Sequence, residues 1–196
     1  MSVRTLGVVL AGGASRRMGG SPKAAMTLGR ETLLERAVGR LTPQVDAIVV
    51  NANDDLAFKG VPTVRDPFPD RLGPLAGILA ATMHAREVHP SATHVASAPV
   101  DVPSFPLDLV ERLRAAAAPD GCAIAWAGGH PQPVFGLWPV AMEDALRAFI
   151  TAGETLKIMA FVRTQQMAPV DFGDVAPFEN VNTPDELDAA RARLGA

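Results

Sequence analysis

The chain opens on an apolar run, residues 6–11, that stops at Gly12-Gly13 and is followed by Ser15-Arg16-Arg17-Met18-Gly19-Gly20 and Pro22-Lys23. The uncharged run reads as a buried β-strand. Glycine carries no Cβ, so backbone N–H groups at the end of this strand can come close to a ligand. Arg16, Arg17 and Lys23 bring positive charge to the same loop. A strand, a glycine turn and a basic arm together make a phosphate-binding device. Two common versions of it are excluded. No Gly-Lys pair follows, as a Walker loop requires, and Gly12, Gly13, Gly19 and Gly20 do not fit Gly-x-Gly-x-x-Gly.

Such a loop needs a sheet behind it. After the strand Thr5–Leu10, residues Leu33, Leu34, Ala37, Val38 and Leu41 recur at helical spacing and predict a helix over 31–41. Strands are expected at 46–51 and 61–65, a helix at 75–86, a strand at 93–98 and a helix at 107–118, stopped by Pro119-Asp120-Gly121. The rest is less regular. Cys122–Ala127 and 133–138 read as strands joined through Gly128-Gly129-His130-Pro131. Helices at 140–151 and 154–162, a strand at 168–172 and a closing helix Pro184–Leu194 follow, the last with Thr183 and Glu186 spaced as a capping box. The alternation predicts an α/β chain: one domain over residues 1–196, a Rossmann-like three-layer fold with a mostly parallel sheet flanked by helices.

Composition narrows the function classes. A net charge of −3 argues against a surface that coats nucleic acid. No run approaches the ~20 apolar residues of a membrane span. The N-terminal apolar stretch is short, contains glycine and has its arginine pair after it, so it reads as a strand of a cytoplasmic protein rather than a secretion signal. The single cysteine cannot form an internal disulfide, and Cys122 opens an apolar run that marks it as a buried, inert thiol. The four histidines match no zinc motif, and no local motif points to a serine–histidine–acid set.

In an open parallel sheet, ligands gather at the carboxyl ends of the strands. Four expected strands place Gly12-Gly13, Asn51-Ala52-Asn53, Asp66 and Asp101 there. Asp101 is a candidate Mg²⁺ ligand. Alone it reads equally as a turn aspartate capping the helix near Pro106, and Lys23 and the glycine loop favour the metal. Lys23 and Arg16 are candidates for triphosphate oxygens, Arg17 less so because neighbouring side chains need not face the same way. Asn51 suits a base or ribose, and equally a turn. Asp66 can accept hydrogen bonds from guanine or ribose, or form an Asx turn before Pro67. Gly73-Pro74 opens a helix whose N-terminus faces either an anion or nothing in particular. The stretch Gly128–Pro133 is either a loop closing over a second substrate or a plain hairpin.

The order Leu-Ala-Gly-Gly-x-Ser-x-Arg-Met-Gly, with Lys23 a few residues on, resembles the signature of nucleotidyltransferases that release pyrophosphate. Asn51-Ala52-Asn53, Asp66, Gly73-Pro74-Leu75-Ala76-Gly77, Asp101-Val102-Pro103, Gln132-Pro133 and Asn180-Val181-Asn182-Thr183-Pro184 extend the resemblance over nearly the whole chain, to the molybdenum cofactor guanylyltransferase family. That resemblance implies a nucleotide site of Leu10, Ala11, Gly12, Gly13, Lys23, Asn51, Asp66 and Asp101. The resemblance implies that Asp101 holds Mg²⁺, and Lys23, Asp101 and the charge-based candidate Arg16 are the expected catalytic set. It implies GTP and a molybdopterin-type cofactor as substrates, and molybdenum-insertion and acceptor enzymes as further partners. Val100 departs from the family's polar or cysteine-rich approach to the aspartate. Related cytidylyltransferases tend to read Leu-Ala-Ala-Gly, so Gly12 favours guanine. The rival readings are a nucleotidyltransferase acting with CTP or on a sugar phosphate, and a non-catalytic nucleotide-binding regulator.

Overall fold

Alternate residues of the first strand, β1 (Thr5–Leu10), go to opposite cores: Leu6, Val8 and Leu10 to one, Val9 to the other. A strand with period-two side chains buried on both faces must lie inside a covered sheet. The computed structural model, which describes residues 4–12, 23–54, 58, 60–69, 72–153 and 155–194, shows that sheet. Its strands run β5 (Thr63–Val64), β4 (Ala47–Asn51), β1, β6 (His94–Pro99), β8 (His130–Pro139), β7 (Cys122–Ala127) and β9 (Met167–Asp171). The pairs β5–β4, β4–β1 and β1–β6 are parallel, as is β7–β9; β8 is antiparallel to both of its neighbours.

Helices cover both faces. Against one lie α1 (Leu33–Leu41), α3 (Leu109–Ala116) and α6 (Pro184–Leu194); against the other lie α2 (Pro74–Val88), α4 (Glu143–Ala152) and α5 (Ile158–Val162). This is the expected layered α/β architecture. Asp46 staples the start of β1: its carboxylate accepts the Arg4 and Thr5 N–H groups at 2.9 and 2.8 Å. Those two bonds hold the carboxyl below the usual range.

Several boundaries move. The helix expected from residue 31 begins at Leu33, because Glu31–Thr32 is a short strand, β3, paired with β2 (Thr27–Leu28) across a turn where Gly29 has φ 67°. Thr32 then caps α1 in a reciprocal box with Glu35. The strand expected at 133–138 starts three residues earlier, since only Gly128 and Gly129, at φ 58° and 77°, form the turn. The helix expected at 154–162 is confined to α5, and that at 140–151 divides into a 3₁₀ turn, Val140–Met142, and α4. Thr183 and Glu186 form the expected capping box for α6.

Candidate active site

The chain leaves β1 through α1 to reach β4 on one side, and passes through α2 to reach β6 on the other. The strand order therefore reverses direction at β1. Ligand crevices form at such switch points, outside the carboxyl ends of the strands. A cleft of about 350 Å³ opens there, within the range of small-ligand sites. Leu10 from β1 with Ala11 and Gly12 just beyond it, Asn51 from β4, Asp66 beyond β5 and Asp101 beyond β6 all line it. Of the sequence candidates, the structure thus brings together Leu10, Ala11, Gly12, Asn51, Asp66 and Asp101. Gly13, Arg16 and Arg17 lie outside the described residues. Lys23 begins a 3₁₀ turn, Lys23–Ala25, and its side chain lies outside them too.

Backbone bonds knit the strand ends. The Ala11 N–H donates to Asn51 O at 2.9 Å, Val100 N–H to Leu10 O at 3.1 Å, and Ala52 N–H to Val64 O at 3.1 Å. Val181 N–H donates to Asp101 O at 2.7 Å, which ties the loop after β6 to the segment before α6. Asp101 does not cap the following helix, since α3 starts only at Leu109 with Asp108 at its N-cap position. Gly73, at φ 77°, and Pro74 bring the N-terminus of α2 onto the cleft wall.

Asn51 is buried, and its amide nitrogen donates to Val64 O at 3.2 Å and to Asp66 Oδ1 at 2.9 Å. The amide of Asn53 donates to the other carboxylate oxygen, Asp66 Oδ2, at 2.7 Å, and its Oδ1 accepts the Asp66 N–H at 2.9 Å. Both oxygens of Asp66 are therefore held by asparagine amides. Asn53 was visible in the sequence only as a second polar residue at a strand end. Its role is set by β4 and β5 lying side by side, a long-range fact that local spacing does not carry.

The opposite wall comes from β8 and from the segment before α6: Gln132, Pro133, Val134, Phe135 and Asn180. The stretch expected as either a closing loop or a plain hairpin is a hairpin, whose strand β8 presents Gln132 and Pro133 to the cleft. Val134 and Phe135 were expected only as strand residues. Their position opposite Asn51 and Asp66 follows from the antiparallel insertion of β8 beside β6.

Among the described residues no three His, Cys, Asp or Glu side chains cluster as a metal cage. Asp101 lines the cleft, and both Asp66 oxygens accept hydrogen bonds from asparagine amides. One carboxylate, completed by phosphate oxygens and water, is the donor set that Mg²⁺ takes in nucleotide enzymes. The residues present fit such an ion.

The family model of the MobA-like NTP transferase domain matches residues 7–169. A protein of Sinorhizobium fredii named molybdenum cofactor guanylyltransferase is 45% identical over 204 residues, spanning 98% of this chain and 93% of its own length. The solved molybdopterin-guanine dinucleotide biosynthesis protein A of Archaeoglobus fulgidus superposes with a TM-score of 0.75 at 22% identity, over 97% of this chain and 98% of that one. A Mycobacterium tuberculosis structure described as a complex with manganese superposes at 0.64 with 15% identity, over 98% of this chain and 100% of that one. With its switch-point cleft, the matched domain and relatives covering nearly its whole length, the chain belongs to the molybdenum cofactor guanylyltransferase family of MobA-like NTP transferases.

Proposed function

We propose that this chain, acting as a single cytoplasmic domain, transfers GMP from GTP to the molybdopterin form of the molybdenum cofactor. The reaction releases pyrophosphate and forms molybdopterin guanine dinucleotide. The observation that carries the reading is the meeting of Leu10, Ala11, Gly12, Asn51, Asp66 and Asp101 in one cleft of a chain from this family.

The base lies toward Asn51 and Asp66. A carboxylate offers about four acceptor positions, so with two taken by asparagines Asp66 keeps acceptors for the adjacent N1–H and exocyclic amine of guanine. The triphosphate runs along the glycine turn, where Gly12 and Gly13 admit it and Arg16 and Lys23 add positive charge. Asp101 would hold Mg²⁺, which would supply charge neutralisation at the triphosphate. A terminal phosphate oxygen of molybdopterin forms a bond to the α-phosphorus as the bond to the pyrophosphate oxygen breaks. The attacking phosphate is already ionised near neutral pH, so no general base is required. Alignment and preorganised donors are what the protein has to contribute. Gln132, Val134, Phe135 and Asn180 form the facing wall, where the second substrate can enter.

The test is a competition among GTP, CTP, ATP and UTP, with and without molybdenum-loaded molybdopterin, reading pyrophosphate and the nucleotide incorporated. GMP incorporation that depends on molybdopterin is expected. Equal incorporation of CMP removes the guanine assignment, and no pyrophosphate from any triphosphate leaves a nucleotide-binding regulator.

A further inference from the structure

We infer that Asn53 is a positioning residue for base selection, acting on the nucleotide only through Asp66. The inference rests on the reading above that Asp66 faces guanine. Asn53 does not line the cleft, whereas Asn51 and Asp66 do. Yet Asn53 holds Asp66 at two points: its amide donates to Oδ2 at 2.7 Å, and its Oδ1 accepts the N–H of the same aspartate at 2.9 Å. The side chain of Asp66 is thereby fixed relative to its own backbone.

The geometry matters because the terminal torsion of an aspartate is broad. A carboxylate bound at one oxygen can still swing about that bond. Here Asn51 takes Oδ1 at 2.9 Å and Asn53 takes Oδ2, so two donors from different residues fix the carboxylate plane. The acceptor positions left over then lie in set directions. Guanine presents two parallel donors, N1–H and the exocyclic amine; inosine keeps the first and lacks the second. Discrimination between the two bases therefore reads how well the carboxylate plane is held, more than whether a carboxylate is present.

The β4–β5 register explains the arrangement. Asn51 pairs with Val64, and the chain runs two residues past each to bring Asn53 against Asp66. Asn51 has a further tie to Val64 O and touches the cleft itself, so changing it mixes several effects. Asn53 isolates the orientation of Asp66.

Asn53→Asp separates this role from support of the loop. It keeps shape and the oxygen that accepts the Asp66 N–H, and it replaces the amide donor by a second acidic oxygen. The measurement is kcat and KM for GTP and for ITP, with molybdopterin as acceptor, in wild type, Asn53→Asp, Asn53→Ser and Asp66→Asn, each checked for folding by circular dichroism. Wild type is expected to prefer GTP over ITP in kcat/KM by roughly tenfold to a hundredfold. Asn53→Asp and Asn53→Ser should bring that ratio to within about threefold of unity, through a raised KM for GTP, with kcat for ITP nearly unchanged. Asp66→Asn should lower the same ratio. If Asp66→Asn lowers it and both Asn53 variants retain it, the positioning role is overturned while the base assignment stands. Equal losses for GTP and ITP in the Asn53 variants also overturn it, as the mark of a loop-supporting residue. An unaltered ratio in Asp66→Asn removes the base assignment and this inference together.

Discussion

Gly77 lies in the first turn of α2, and a Cβ built on it would sit 2.3 Å from Asn51 Oδ1 and 2.7 Å from Leu10 Cδ2. Neither neighbour can retreat easily: Asn51 is buried with its amide bonded to Val64 and Asp66, and Leu10 is held between β4 and β6. Gly77→Ala should therefore push Asn51 off its partners, at an overpacking cost of about 1–3 kcal/mol. The expected outcome is a rise of about tenfold or more in the KM for GTP with helix content retained, read by steady-state kinetics and circular dichroism. Gly12 is a contrast. Among the described residues, a Cβ there meets the same Asn51 oxygen at 3.5 Å, an ordinary contact. Loss of GTP use in Gly12→Ala then reports a clash with the nucleotide rather than with the protein, and CTP use should fall less. Asp101→Asn keeps shape and removes charge. It should lower turnover by roughly a hundredfold or more with the fold intact, and near-normal guanylyl transfer would take Asp101 out of the chemistry. At this scale the sequence was informative. Glycine, asparagine and aspartate at strand ends are chemically legible, and the cleft collects them. The partner of each was not legible, because Asn53 meets Asp66 at a sequence separation of 13.

Elements were legible where one periodicity ran long. β1 and β7 fall at their expected bounds because their runs carry no charge, and α6 does because its capping box and proline fix the start. Elements built on two competing signals were misjudged. Thr32 and Glu35 already spelled the start of α1, but charged Glu31 fitted the polar face of a longer helix. In β8, Pro131 looks like a loop residue, since proline cannot donate to a ladder, and the strand was expected to start only at Pro133. Pro131 and Pro133 are tolerated because the pairing of β8 with β6 runs from Gly136 to Pro139, and the register with β7 shifts between Ile124 and Ala125. The β6–β8 pair also contains a buried polar link. Trp138 Nε1–H donates to Ser97 Oγ at 2.9 Å, and that hydroxyl donates to Val134 O at 2.7 Å. Both residues are at most 1% exposed, so Ser97→Ala leaves a buried indole N–H without its acceptor. The cost should be about 1–3 kcal/mol, or on the order of 5 °C in Tm. Calorimetry checks it, and an unchanged Tm would mean the indole finds another acceptor.

Across the whole molecule, the parallel half of the sheet carries the cleft floor, β8 and the segment before α6 supply its far wall, and β7 adds a large part of the core. Cys122 begins β7 at 0% exposure, and its thiol faces Gln166 O at 3.5 Å. Burial raises its pKa from 9.0 to about 11. The thiolate thus forms more readily in the unfolded chain than in the folded one. The stabilising contribution is complete below pH 9, declines as the pH climbs, and is lost by about pH 11. A shift of this size corresponds to roughly 3 kcal/mol over that window. The sequence makes the window unusually clean, because it contains no tyrosine and only three lysines to titrate alongside the thiol. Urea unfolding of wild type and Cys122→Ala at pH 8, and again near the alkaline end of the window, should therefore give two different slopes with pH. Wild type should lose about 3 kcal/mol more than the variant, which lacks the titrating group. A thiol reagent offered to the native protein at pH 8 should react only as fast as the molecule unfolds globally, since β7 is flanked on both sides by paired strands. Parallel pH profiles for the two proteins, together with rapid labelling of the folded one, would place Cys122 at the surface and contradict the packing of β7 against β8 and β9.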